Sequence, residues 1–356
     1  MDPQAVDWGF VLAFFATLAT VAVATPLCER FGFVDRPTAR KAHGAVVPYS
    51  GGLALGFALF PLLAILADAA PPWPAVAGLF LCWLLGLIDD ARPLPSVLKF
   101  AAQLVAGGAL AQALAPEIRA IGGALLPLGT SEVAIFGLAI FCAVGVMNAL
   151  NMIDGSDGLA GVQVLAVIAG LALFSGEGAG TSPALAALVA GAVTGYLVFN
   201  FPYGFRPARI FMMGDGGALL LAGLLTIIVI QRAAGGAGSG FQSAAPWALV
   251  YLLCDTMAVI FARASVGRYP FSPDRWHLHH LLLDAGLSMG QVAGVAAGVA
   301  LLGAATGAGL EAAGLSAAES FLLLLTVVTV YATLMALKLR RRHGADALDG
   351  EGEAGR

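Results

Sequence analysis

Long apolar runs alternate with short polar segments from one end of the 356-residue chain to the other. A bilayer core takes about 20 predominantly apolar residues per helix. Runs of that kind lie near 8–28, 50–67, 74–88, 97–115, 132–150, 159–175, 183–199, 216–231, 246–263, 289–308 and 318–338. The pattern predicts an all-α polytopic membrane protein with about eleven transmembrane helices. Composition agrees: 59% of residues are hydrophobic, 11% are charged and the mean hydropathy is +0.88, whereas soluble domains carry about a quarter charged residues. Residues 1–342 read as one integral-membrane domain, and 343–356, with Asp346, Asp349, Glu351 and Glu353, as a disordered polar tail. Residues 117–129, with Gly122 and Gly123 at their centre, read as a small periplasmic β-hairpin.

Charge sets the orientation. With the loop after the first run cytoplasmic, every Lys and Arg except Arg119 and Arg232 falls on the cytoplasmic side. This puts the N-terminus in the periplasm and the C-terminus in the cytoplasm. Asp2 and Asp7 stand where a secretory leader would carry basic residues, so the first run reads as a span. Cys28, Cys82, Cys142 and Cys254 lie in or beside apolar runs without metal-ligand spacing and read as small core residues.

The polar segments on the cytoplasmic side carry the chemistry. Asp89 and Asp90 end the third run in GLIDD. Carboxylates oppose the macrodipole at a helix C-terminus and repel each other. The pair is therefore a candidate for holding a divalent cation or supplying a general base, with a helix end reaching water as the plainer alternative. In NALNMIDGSDGLAG, Asn148, Asn151, Asp154 and Asp157 recur every three residues, so neighbours share a helix face. A solvated loop is the alternative there, but Asn148 and Asn151 lie within or at the edge of the apolar run. MGDGG at 213–217 opens the next run. Its glycines suit close approach of an anion to helix N-terminal amides, and Asp215 could equally be a helix cap. His277, His279 and His280 follow Asp274 and Arg275. With Arg40, Lys41 and His43 they suit a phosphate-rich ligand; zinc competes, without cysteine partners at ligand spacing. Asp255 lies in mid-run, where an ionisable group signals function unless a neighbouring helix satisfies it. Acids for a metal, cations for phosphates and glycines for close approach share one membrane face. Together they point to an enzyme joining a soluble phosphorylated substrate to a membrane-bound phosphorylated one.

The segments VDRPTARKAHG, GLIDD, NALNMIDGSDGLAG, FNFP…PARIFMMGD and SPDRWHLHHLLL, in this order, resemble the polyprenyl-phosphate N-acetylhexosamine-1-phosphate transferases, the MraY/WecA superfamily, and are more similar to its WecA-like branch. The resemblance implies transfer of a sugar-1-phosphate, GlcNAc-1-phosphate foremost, from a UDP-N-acetylhexosamine to undecaprenyl phosphate. UMP is released, and the step opens cell-envelope glycan synthesis at the bacterial inner membrane with the active site facing the cytoplasm. It implies Mg²⁺, with Mn²⁺ as a substitute, and Asp215 as the direct metal ligand. Asp89 and Asp90 would activate the lipid phosphate or help hold the metal. Asn151 and the catalytic-set residues Asp154 and Asp157 would contact the nucleotide sugar. Lys41, His43, Asn148 and Asn200 would lie at the substrates, and Arg275, His277, His279 and His280 would hold the diphosphate or the lipid phosphate. No nucleic-acid partner is expected, and a homodimer is left open. Two positions depart from the family pattern: Phe211 stands four residues before Asp215 rather than three, and Ala218 replaces a residue that is often Ser. Two other functions stay open at this point. One is phospho-MurNAc-pentapeptide transfer. The other is ion-coupled transport, which calls for carboxylates near the midplane, where only Asp255 is clearly placed.

Overall fold

The computed structural model describes residues 3–35, 46–66, 70–126, 130–155, 157–175, 183–202, 211–235, 241–269 and 274–353, with side chains described only for 8–341 of these. They form α1 (Pro3–Phe31), β1 (Val34–Asp35), β2 (Val47–Pro48), α2 (Ser50–Ile65), α3 (Trp73–Ala91), α4 (Ser96–Ala113), α5 (Ala115–Leu125), α6 (Glu132–Ile153), α7 (Leu159–Phe174), α8 (Pro183–Asn200), α9 (Gly214–Ala234), α10 (Ala244–Ala248), α11 (Val250–Ser265), α12 (Leu278–Asp284), α13 (Met289–Ala312) and α14 (Ala317–Glu353). Every apolar run picked out in the sequence falls on a helix. Among the described residues seven helices are long and apolar enough to cross a bilayer, and eight if the α4–α5 pair counts as one crossing. Helices α2 and α7 are apolar but shorter, at 16 residues each. The run at 246–263 is broken at Leu249 into α10 and α11. Pro246 lies in the first piece, and its carbonyl receives the Leu249 N–H.

Over its described residues, 117–126, the segment expected as a hairpin is helical instead. Residues 115–125 form α5, which leaves α4 at an angle of 87°. Pro116 sits in its first turn, where its missing N–H removes no helical bond. Ile118 and Gly122, four apart, make its buried face, and Arg119 reaches Glu132 of α6 at 2.7 Å. The two-stranded sheet lies elsewhere: β1 and β2 pair antiparallel, Val34 with Pro48 and Asp35 with Val47. Arg40, Lys41 and His43 fall on the connection between these strands, outside the described residues.

Helix α9 occupies the centre. It is the most buried of the spanning helices and touches α2, α3, α5, α6, α7, α8 and α10. Between membrane helices, close backbone approach through small residues supplies much of the packing. Gly191 and Gly195 of α8 face the α1 backbone at Phe10 and Phe14, and Gly303 and Gly307 of α13 face Trp247 and Ser243. Around the start of α9 the same device is denser. A methyl group on Gly86 would overlap Gly216, and one on Gly52 would lie 2.5 Å from Met213 O and 2.6 Å from Gly217 N. Glycines on α2 and α3 therefore let the N-terminus of α9 wedge between those helices. Cys82 is buried and close to Met147, but Cys142, expected in the core, is exposed.

Candidate active site

Four helix ends meet at one level: the C-termini of α3 and α6 and the N-termini of α4 and α9. They bring together Asp89, Asp90, Lys99, Asn151 and Asp215. Lys99 Nζ lies 2.9 Å from Asp89 Oδ2 and 3.3 Å from Asp215 Oδ2. The Asp89 carboxyl and the Asn151 side chain both lie beside the Asp215 carboxyl. Asp89 Oδ1 accepts the Leu94 N–H at 2.7 Å, which closes the turn after α3.

Asp90 does something different. Its Oδ1 accepts the N–H of Asp215 at 2.9 Å and its Oδ2 that of Gly216 at 3.1 Å. A helix N-terminus leaves its first amides without intrahelical partners and carries partial positive charge. Asp90 supplies the acceptors for both amides from another helix. Gly214, with φ +69°, makes the turn that admits this carboxylate; a Cβ there would lie 2.5 Å from Asp90 Oδ2. Of the adjacent acids, Asp89 faces the Lys99–Asp215 cluster and Asp90 fixes the backbone that carries Asp215.

Two contributors were not singled out in the sequence. Lys99 lies in the first turn of α4, where a cation opposes the macrodipole; that mismatch was the available signal. Tyr49, just before α2, bonds Asp35. Burial foremost, then the charges of Asp35, Asp90 and Asp215, push its phenol well above the usual range, so it remains a neutral donor. The strand ribbon locks this corner: Met212 N–H bonds Pro48 O at 2.8 Å and Gly51 N–H bonds Met212 O at 3.0 Å.

Asn148 donates to Gln103 Oε1 at 3.0 Å and to Val144 O at 2.8 Å. Gln103 is one turn beyond Lys99, so one face of α4 serves both polar groups. Asp154 ends α6 and Asp157 follows in the turn to α7; both are half-buried and engaged with neighbours. Asn200 is buried. Its Oδ1 accepts the Gly158 N–H at 2.7 Å and its Nδ2 donates to Phe211 O at 2.7 Å. It brackets the α6–α7 turn to the segment leading into α9, with both ends of its amide used by backbone. Phe211 is fully buried against Tyr196 and Phe199.

The histidines form a second cluster. His277 Nδ1 lies 2.7 Å from Asp255 Oδ2, and the Leu278 N–H donates to Asp255 Oδ1 at 2.6 Å. This names the partner that the sequence did not supply for Asp255. His279 is 0% exposed, and neither of its ring nitrogens has a hydrogen-bond partner. Burial, reinforced by the neighbouring His280 and then by His277 and Arg275, pushes it down to about 3 against the opposing pull of Asp255. Burial and Arg275 also lower His280. Arg275 pairs with Asp284 at 2.9 Å on the surface. Among the described residues no hydrogen bond or ion pair joins Asp255, His277 or His279 to the Asp89–Lys99–Asp215 cluster.

Asp89 and Asp215, with Asn151 beside them, form an all-oxygen donor set. That set fits a hard divalent cation such as Mg²⁺ and gives a softer metal no sulfur or imidazole ligand.

Residues 73–233, from the start of α3 almost to the end of α9, match the model of glycosyl transferase family 4. The chain is 33% identical to decaprenyl-phosphate N-acetylglucosaminephosphotransferase of Mycolicibacterium smegmatis, covering 78% of this chain and 74% of the relative. It is 28% identical to undecaprenyl-phosphate alpha-N-acetylglucosaminyl 1-phosphate transferase of Yersinia pestis, over 79% and 78%. The Escherichia coli enzyme of the same name is 27% identical, over 82% and 80%. The matched region contains both helices that bring the carboxylates together. The chain thus belongs to glycosyl transferase family 4 and is a multi-pass membrane enzyme of the polyprenyl-phosphate sugar-1-phosphate transferase class.

Proposed function

We propose that the protein transfers N-acetylglucosamine-1-phosphate from UDP-N-acetylglucosamine to undecaprenyl phosphate and releases UMP. The meeting of Asp89, Lys99, Asn151 and Asp215 at four helix ends carries this reading, because it is a polar site at the level where a lipid headgroup and a soluble nucleotide can meet. An oxygen of the lipid phosphate bonds to the sugar-bearing phosphorus as the bond from that phosphorus to UMP breaks. One phosphoanhydride replaces another, so the reaction runs in both directions.

Both reactants are anionic, and their repulsion must be offset for attack to occur. Mg²⁺ held by Asp215 and Asp89 would neutralise phosphate charge. Asp90 holds the backbone of Asp215 in place, and Lys99 keeps Asp89 and Asp215 together while adding positive charge. Asp89 takes the proton of a protonated acceptor, and attack is direct, without a phospho-enzyme. Asn148, Asn151, Asp154 and Asp157 line the approach of the nucleotide sugar. Lys41, His43, Arg275, His277 and His280 meet phosphate oxygens, with the buried His279 packed behind His277.

The same reading takes α1–α4, α6–α9, the α10–α11 pair, α13 and α14 as eleven crossings of a bacterial inner membrane, with the N-terminus outside and the site on the cytoplasmic face. The Lys and Arg asymmetry supports this, as does the level at which α3 and α6 end and α4 and α9 begin. At 16 residues, α2 and α7 reach about 24 Å, so they are the short members of the set.

The test is UMP release by the purified protein with undecaprenyl phosphate, Mg²⁺ and a panel of UDP-sugars that includes UDP-MurNAc-pentapeptide. UDP-N-acetylglucosamine is expected to give the fastest release, with chelation abolishing it and Mg²⁺ restoring it. UMP from the pentapeptide donor alone would move the assignment to peptidoglycan synthesis; no UMP from any donor would defeat it.

A further inference from the structure

Asp255 sits in the second turn of α11, 2% exposed, in an otherwise apolar stretch. A buried carboxylate at membrane depth is costly unless specific donors satisfy it. Here both oxygens are satisfied from the α12 segment, Oδ2 by His277 Nδ1 at 2.7 Å and Oδ1 by the Leu278 N–H at 2.6 Å. A carboxylate facing Nδ1 keeps the proton on that nitrogen and so fixes the tautomer. The other ring nitrogen, Nε2, has no hydrogen bond within the described residues. The ring is also held from its face: His279 stacks on it at 5.5 Å between centroids, 18° from parallel.

The segment is clamped a second time with the charges reversed. Arg263, two turns further along α11 and 1% exposed, receives Asp274 in a two-pronged pair at 2.9 and 3.1 Å. The same Asp274 accepts the Trp276 N–H at 2.9 Å. One helix thus pins the segment on both sides of Arg275 and Trp276, through an acid meeting a base and a base meeting an acid. The direction of the His277 ring is built by four side chains rather than left to a loop.

We propose that Asp255 is a positioning residue for His277: by holding Nδ1 it presents Nε2 to a phosphate oxygen of the reacting substrates and offsets the charge of the ring when both nitrogens carry protons. This rests on the reading above that the histidines meet phosphate. A metal ion held by Asp255, His277 and His279 is the competing arrangement, since these groups lie close enough together. The geometry favours positioning, because both oxygens of Asp255 already accept N–H donors.

The experiment compares D255N, D255E, H277N and the double variant D255N/H277N in UMP release and in melting midpoint. H277N keeps an amide donor for Asp255 but lacks any atom at the place of Nε2, so it should melt like the wild type. H277N and D255N should each lower kcat/KM by about 10²–10³-fold, the size of losing one charged donor at a reacting phosphate. The double variant should lose no more than the worse single one, because residues acting as a unit are non-additive. D255E should regain about tenfold over D255N. Multiplied losses in the double variant, equal activity of D255E and D255N at equal melting midpoints, or wild-type activity in a folded H277N would each overturn the proposal. So would stoichiometric zinc in the purified protein that D255N lacks. The H277N arm stands even if D255N does not fold. An inactive wild type overturns the function and the inference with it; an active wild type with multiplied losses overturns the inference alone.

Discussion

The Asp90 carboxylate accepts the backbone N–H of Asp215 at 2.9 Å, so one acid of the site is held in place by another. With Gly216 as the second donor, Asp90 caps a helix to which it is not covalently adjacent. D90N should therefore destabilise the fold by about 1–3 kcal/mol, for a buried acceptor replaced on one side by a second donor, and so lower the melting midpoint as well as activity. D215N should reduce UMP release about a thousandfold and leave the melting midpoint within a few degrees. The two variants, assayed side by side, separate framework from chemistry. An unchanged midpoint in D90N would remove the capping role.

Lys99 is the one cation the structure places between Asp89 and Asp215 among the described residues. K99M keeps the length of the stem and removes the charge, leaving the two carboxyls to repel. UMP release is expected to fall about a hundredfold. K99R should recover only part of it, because a planar guanidinium does not replace a compact ammonium between two separate acceptors. Steady-state rates at saturating Mg²⁺ decide this; full activity in K99M would show that Lys99 has no part in the reaction.

The wedge of α9 between α2 and α3 depends on the missing Cβ at Gly86, which lies against Gly216. G86A should destabilise by about 1–3 kcal/mol, the range for overpacked cores, and should displace Asp215 with it. A methyl group on Gly145 of α6 would meet nothing within 4 Å, so G145A should be neutral or slightly stabilising through helix propensity. Thermal melts of the two variants in the same detergent test the contrast.

His279 is pushed down to about 3 by burial first and by His280 next, against about 6.5 in an unfolded chain. Between those values the unfolded state binds more protons than the folded one, so stability rises with pH across that window and levels off above it. The melting midpoint of the wild type should therefore fall from pH 7 to pH 5, and H279Q should flatten that fall. An equal slope in H279Q would show that this ring does not titrate on unfolding.

How much was legible in the sequence follows from the range of each interaction. Apolar runs are local, so the helices α1, α3, α6, α8, α9, α13 and α14 could be placed from hydropathy alone. The acid and histidine segments stood out because polar residues are sparse in such a chain. Segment 115–125 folds against its sequence signal: paired glycines suggest a turn, while the buried face formed by Ile118 and Gly122 exists only once α6 lies beside it. Lys99 and Tyr49 gave no strong signal because each is an ordinary residue until Asp89, Asp90 or Asp215 is placed near it.

By itself the sequence determined that the chain crosses a membrane many times and that its motifs belong to sugar-phosphate transfer to a lipid. These are consequences of composition and order along the chain. Only the tertiary structure decided which acid faces which partner. Asp89 and Asp90 are chemically identical neighbours, yet successive helix positions point about 100° apart, so the backbone amides at the start of α9 meet Asp90 while the Asp215 side chain meets Asp89. The same holds for Asp255, whose place in an apolar run was visible but whose meaning required a histidine from another segment.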